Sequence, residues 1–190
     1  MTDRVTTRRS AAGRRIPVAG AVAVAFLAAL WPSAPAQAST GSGPRIVPVY
    51  THFQDDGSAT PSSLPCPGGQ AIRGDATFGV QPGDTWHGTS VYDFCLVPAS
   101  TPGSFTFSGI ETFTGTVDGC GTGSITYTVT EGFAQLMPSP TAPNGVQRWT
   151  IVPGAGTGGL AGVTGGQGVG IFTIQQTLAN EGFFAGLLTC

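Results

Sequence analysis

The chain has 190 residues, with 8 arginines and no lysine, 10 acidic residues, 4 cysteines, 30 glycines and a net charge of −2. Five of the arginines lie within the first 15 residues, so beyond residue 38 three arginines face nine carboxylates, a net charge of −6. Such a surface repels phosphate backbones and anionic lipid, which excludes a nucleic-acid partner.

The N-terminus reads as an export signal. Arg4, Arg8, Arg9, Arg14 and Arg15 form a basic start, and an uncharged, mostly apolar run follows over 18–30. Ala36-Gln37-Ala38 has the small-residue pattern of a cleavage site, so the mature chain is expected to begin at Ser39 and to be secreted. The apolar run is too short to span a bilayer, which takes about 20 residues, and Pro32 and Pro35 cut it off. No stable membrane span is expected once the signal is removed. Two Arg-Arg pairs leave both the general and the twin-arginine export routes open. The expected organisation is a signal peptide over 1–38, a flexible lead-in over 39–44 and one β-domain over 45–190.

The mature segment shows no helical period. Thr, Val, Phe, Ile and Gly dominate, and turn signals recur every ten to fifteen residues, the pattern of an all-β sandwich or barrel. Eight strands are predicted, over 45–50, 71–80, 86–97, 104–117, 124–133, 146–152, 169–178 and 183–189. The Pro-, Ser- and Gly-rich stretches 55–70 and 138–145 punctuate them.

Four cysteines, Cys66, Cys95, Cys120 and Cys190, allow three pairings in an exported chain. Cys66–Cys95 and Cys120–Cys190 are favoured, the second stapling the last residue to a hairpin turn. No C-x-x-C pair exists, so no metal site is expected from these thiols.

The hairpin over 104–133 can be read residue by residue. Odd positions carry Phe105, Phe107, Glu111, Phe113 and Val117, then Ile125, Tyr127, Val129, Glu131 and Phe133; even positions carry Ser and Thr with Ile110. Alternation therefore gives one aromatic face and one hydroxylic face. Pairing about Gly121 sets Glu111 opposite Glu131 on the aromatic face. Two buried carboxyls side by side repel, raise at least one pKa and can share a proton, which makes the pair a candidate for acid–base chemistry or for holding a polar ligand group. A bulge near Gly109 or Gly115 would instead separate them. The aromatic residues Phe105, Phe107, Phe113, Tyr127, Phe133, Trp149 and Phe172 are expected to point inward and to contact any ligand held there. Two further groupings join histidine to acid: His52 with Asp55 and Asp56, and His87 with Asp84 and Asp93.

The stretch 154–170 contains nine glycines. Gly154, Gly156 and Gly159 match G-x-G-x-x-G, but a nucleotide fingerprint needs a helix to start there, and glycines every two or three residues forbid one. No cofactor is expected. The residues "WTIVPGAGTGGLAGVTGGQGVGIF" (149–172), with "FTGTVDGCGTGSITYTV" upstream and "GFFAGLLTC" at the end, resemble small bacterial barrels related to allene oxide cyclase and plant dirigent proteins, over roughly 104–190. The resemblance implies an eight-stranded antiparallel barrel and leaves an oligomer open. It carries no catalytic residue onto this chain. Three functions remain as expectations: an interior site for a small apolar or amphipathic molecule, a cyclase or isomerase using Glu111 and Glu131, or a structural surface protein with no ligand.

Overall fold

The computed structural model describes residues 43–190; the signal-peptide reading of 1–38 lies outside the described residues. Ten strands succeed one another: β1 (Ile46–Asp55), β2 (Thr60–Pro61), β3 (Gln70–Phe78), β4 (Trp86–Pro98), β5 (Ser104–Val117), β6 (Gly121–Gln135), β7 (Gly145–Ile151), β8 (Thr157–Gly158), β9 (Gly165–Ile174) and β10 (Asn180–Thr189). Eight of them are long, and all eight predicted strands are among these. No helix occurs among the described residues.

The long strands run β1-β10-β9-β7-β6-β5-β4-β3, every pair antiparallel, and β1 meets β3 to close the circle. The result is an eight-stranded antiparallel barrel. The closing seam is thin. Only Phe53 faces Phe78 and Gln54 faces Thr77 in ladder register. Two backbone bonds extend it, from the Gly79 amide to the His52 carbonyl at 3.0 Å and from the Thr85 amide to the Tyr50 carbonyl at 2.8 Å.

Alternation along each strand decides what is inside. In β1, Val47, Val49, Thr51, Phe53 and Asp55 are buried while their neighbours face outward. One end of the barrel is filled solid. Trp86, Phe113, Tyr127, Trp149 and Phe184 are at most 1% exposed and touch ring to ring, Trp86 with Phe113 at 5.0 Å and Trp149 stacked on Phe184 at 6.1 Å. Rings of this size supply the largest share of apolar area removed from water. The outer face of β5 and β6 is the hydroxylic one. Thr112 bonds Thr126 at 3.0 Å and Thr116 bonds Thr122 at 2.8 Å across the strands.

The glycine-rich stretch works as a turn and a stopper. After Pro153 the chain bends at Gly154 (φ 76°), and β8 then pairs with Gly123 and Ser124 of β6. This presents Leu160 and Val163, 0% and 2% exposed, as a plug for the filled end. Glycines inside the strands serve a second purpose: they leave room for rings. A β-carbon at Gly145 would strike the Phe172 ring, and one at Gly132 would strike the Phe107 ring.

Two disulfides complete the fold. Cys66–Cys95 ties the 56–69 loop to β4, with Cα atoms 5.1 Å apart. Cys120–Cys190 ties the β5–β6 turn to the last residue, with Cα atoms 5.6 Å apart. They join residues 29 and 70 positions apart, so both constrain the unfolded chain substantially. Replacing Cys120 and Cys190 by Ser should lower stability by about 4 kcal/mol, and replacing Cys66 and Cys95 by about 3.5 kcal/mol, on chain-entropy grounds. Denaturant midpoints of the two double variants, measured beside the oxidised parent, check this.

Candidate functional site

The half of the barrel away from the plug is not filled. A cavity of about 70 Å³ lies there, lined mainly by Phe53, Ile72, Phe78, Phe94, Phe105, Phe107, Phe172 and Ile174. That is room for about two water molecules. Few polar groups reach it, namely Asp55, Tyr92, Glu111, Gln147 and Asn180.

Glu111 stands at the floor, 4% exposed, where the cavity meets the ring plug. β5 alternation points it inward, between Ser90 of β4 and Tyr127 of β6. Ser90 Oγ donates to Glu111 Oε1 at 2.5 Å. Tyr127 lies directly across the strand pair from it. The Tyr127 hydroxyl interacts with that carboxyl but closes no hydrogen bond of ordinary geometry among the described residues. Burial pushes the Glu111 carboxyl up to about 7, against the opposing effect of the Ser90 and Tyr127 hydroxyls; the Asp55 charge adds to the rise. Burial and the nearby Glu111 charge also push the Tyr127 phenol well up.

Asp55 closes the upper part. It is 8% exposed and accepts three hydrogen bonds: from the Tyr92 hydroxyl at 2.7 Å, the Gly57 amide at 2.7 Å and Asn180 Nδ2 at 3.1 Å. Burial, then the hydrogen bond and charge of Asp55, push the Tyr92 phenol far up, so it stays a donor. Gln147 is 5% exposed and lines the cavity.

Several expectations need correction. Glu111 does not face Glu131. The β5–β6 turn is centred two residues earlier than expected, so Val117 pairs Gly121 and Glu111 pairs Tyr127. Further along, Ser108 is opposed by two residues, Thr130 and Glu131, in a bulge. Glu131 takes φ 52° there and swings out, where its carboxylate, 72% exposed, meets Arg148 Nε at 2.7 Å. The extra residue also exchanges the faces of the rest of β6. Phe133, expected inside, is 41% exposed on the outer face, and Gly132 and Ala134 take the inner positions. The other aromatic residues divide. Phe105, Phe107 and Phe172 line the cavity, while Phe113, Tyr127 and Trp149 pack in the solid half.

The histidine groupings also rearrange. Asp84 sits under His52, not His87, accepting from His52 Nδ1 at 2.7 Å, the His52 amide at 3.0 Å and the Gln81 amide at 2.8 Å. Burial raises the Asp84 carboxyl, but these hydrogen bonds together outweigh it and hold it below its ordinary value. Asp93 is taken by Arg73 at 2.6 Å and by the Ser62 hydroxyl at 2.7 Å. The His52–Asp84 pair fixes the seam between β1 and the 79–85 turn.

Asp55 was singled out only beside His52 and Asp56, and Tyr92 and Gln147 went unnoticed in the sequence. The signal for Asp55 was present, because the alternation Val47, Val49, Thr51, Phe53 continues to it. Gln147 shares a strand face with Trp149 and was legible in the same way.

Glu111 makes stability depend on pH. Its folded pKa lies above the unfolded one, so the folded chain holds the extra proton between about pH 4.5 and 7. Stability from this group is complete below that window and is lost as pH rises through 7, by about 3 kcal/mol. In a comparison of denaturant midpoints with pH, Glu111→Gln should lack this downward slope, and the difference between the two proteins should be confined to that window.

A family model described as a protein of unknown function (DUF3224) matches residues 82–179. The crystal structure of a protein of unknown function from the DUF3224 family of Shewanella oneidensis MR-1 is 19% identical, with a TM-score of 0.46 over 77% of this chain and 97% of that one. No functionally curated protein matches the chain. The matched span runs from the end of the 79–85 turn through β9 and includes Glu111, Tyr92 and Gln147; the chain belongs to the DUF3224 family.

Proposed function

We propose that the barrel binds a small, mainly apolar molecule with one hydrogen-bonding end, and that it does so outside the cytoplasm. The observation that carries this reading is the cavity itself: an aromatic chamber lined also by the buried side chains of Gln147 and Glu111. These two side chains offer hydrogen-bonding partners to the polar end of such a molecule. Its lining of rings with few polar groups has the character of a small-molecule site, and at about 70 Å³ the chamber takes a benzene-sized body only by widening. Export is supported by the two disulfides, which fit an oxidising compartment, and by the basic-apolar-small pattern over 1–38. We also propose kinship with the allene oxide cyclase and dirigent barrels, supported by the eight-stranded antiparallel closure and the glycine turn.

A second reading is proton transfer within the bound molecule. It rests on Glu111 alone, since Glu131 is outside. A carboxyl that ionises near neutrality can both give and take a proton.

Toluene and benzyl alcohol are suitable probes, differing by one hydroxyl. Titrated into the protein and followed by amide NMR shifts, both should give saturable changes confined to the strands that line the cavity, β1, β3, β4, β5, β7, β9 and β10. Benzyl alcohol should bind more tightly, and Gln147→Leu should reduce that advantage about fivefold to tenfold. Shifts that fail to saturate, or that scatter over the outer face, would refute interior binding.

A further inference from the structure

The turn between β9 and β10, residues 175–179, closes the barrel at the cavity end. Within it Leu178 takes φ 69°. A left-handed backbone costs a leucine free energy that a glycine avoids. Among the described residues every other positive-φ position is a glycine, save Glu131 in its bulge. The side chain accounts for the exception: Leu178 lines the cavity and packs against the core.

A small set of bonds holds the turn in this shape. The Leu178 amide donates to the Gln175 carbonyl at 3.0 Å, and the Gln175 amide to the Ala179 carbonyl at 2.9 Å. Asn180 Nδ2 donates both to the Leu178 carbonyl at 3.0 Å and to Asp55 Oδ2 at 3.1 Å. Asp55 is itself fixed by the Tyr92 hydroxyl and the Gly57 amide. The loop after β1 lies flush against the turn, since a β-carbon at Gly57 would stand 2.5 Å from the Thr177 carbonyl oxygen and from the Ala179 nitrogen. One side-chain amide thus clips a strained turn to the end of β1.

We propose that Leu178 is the stopper that sets the size of what the cavity takes, and that release of the Asn180–Asp55 clip lets it swing outward and admit a ring. This rests on the interior-binding reading and adds the route of entry and the residue that limits ligand size. The closed cavity of about 70 Å³ is smaller than the roughly 150 Å³ that holds benzene. Moving the Leu178 side chain out joins its volume to the void. Leaving φ 69° for an ordinary backbone conformation relieves strain, which offsets part of the cost of exposing the leucine. A site that is open only part of the time binds more weakly by the open fraction, so a change that loosens the stopper tightens binding and speeds entry.

Toluene binding followed by NMR line shapes tests this. Leu178→Gly removes the side chain and relaxes the backbone, and should speed toluene association and tighten binding, each about tenfold. Asn180→Asp, at about pH 8, keeps the size of that side chain but sets a carboxylate against Asp55, and should speed association about threefold by opening the clip with no gain of space. Gln176→Ala, exposed on the same turn, should leave the rate unchanged. Association no faster in Leu178→Gly and Asn180→Asp than in the parent, with toluene still bound, would overturn the stopper and leave interior binding intact. If toluene binds none of the four proteins, the interior-binding reading fails and this inference fails with it.

Discussion

An eight-stranded barrel encloses a space barely wider than the side chains that fill it. Here that space is divided between ring packing and a void. Trp86, Phe113, Tyr127, Trp149 and Phe184, capped by Leu160 and Val163, occupy one half without leaving room for water. The other half, framed by rings that lie over glycines, keeps a cavity. Glu111 sits on the boundary. Its burial, its altered acidity and its access to the cavity all result from the plug on one side and the void on the other. Loosening the plug would let water reach the carboxyl from below and remove its special character.

Much of this was legible in the residues themselves. The eight long strands come from period-two alternation and turn chemistry, and each predicted segment overlaps its strand, although β1 runs five residues further than expected and β9 begins four residues earlier. The glycine stretch after Pro153 was readable as a turn because no helix could start there. The cysteine pairing was readable because Cys190 ends the last strand and Cys120 lies in a tight hairpin turn. Alternation also placed Glu111 on the inner face correctly.

The illegible part came from single-residue shifts in pairing. Side chains alternate with period two, so one inserted residue exchanges the faces for everything beyond it. The bulge opposite Ser108 does this to Glu131 and Phe133. Gly109 beside it marked a bulge as an alternative, but not that the extra residue enters on β6, where Glu131 takes an uncommon φ of 52° and meets Arg148 outside. The loss of the expected carboxylate pair changes the chemistry available. Two carboxyls held apart, Glu111 and Asp55, with the Gln147 and Asn180 amides and the Tyr92 hydroxyl, suit recognition.

The chemistry of the barrel depends on a lone, desolvated Glu111 in its interior. Site-resolved carbon-13 NMR of the glutamate carboxyls across pH tests this most directly. The Glu111 carboxyl resonance should titrate near pH 7, and its midpoint should move when Ser90 is replaced by Ala. A Glu111 resonance that titrates in the ordinary carboxylate range and is indifferent to Ser90 would place this carboxyl in water and contradict its assignment to a dry interior.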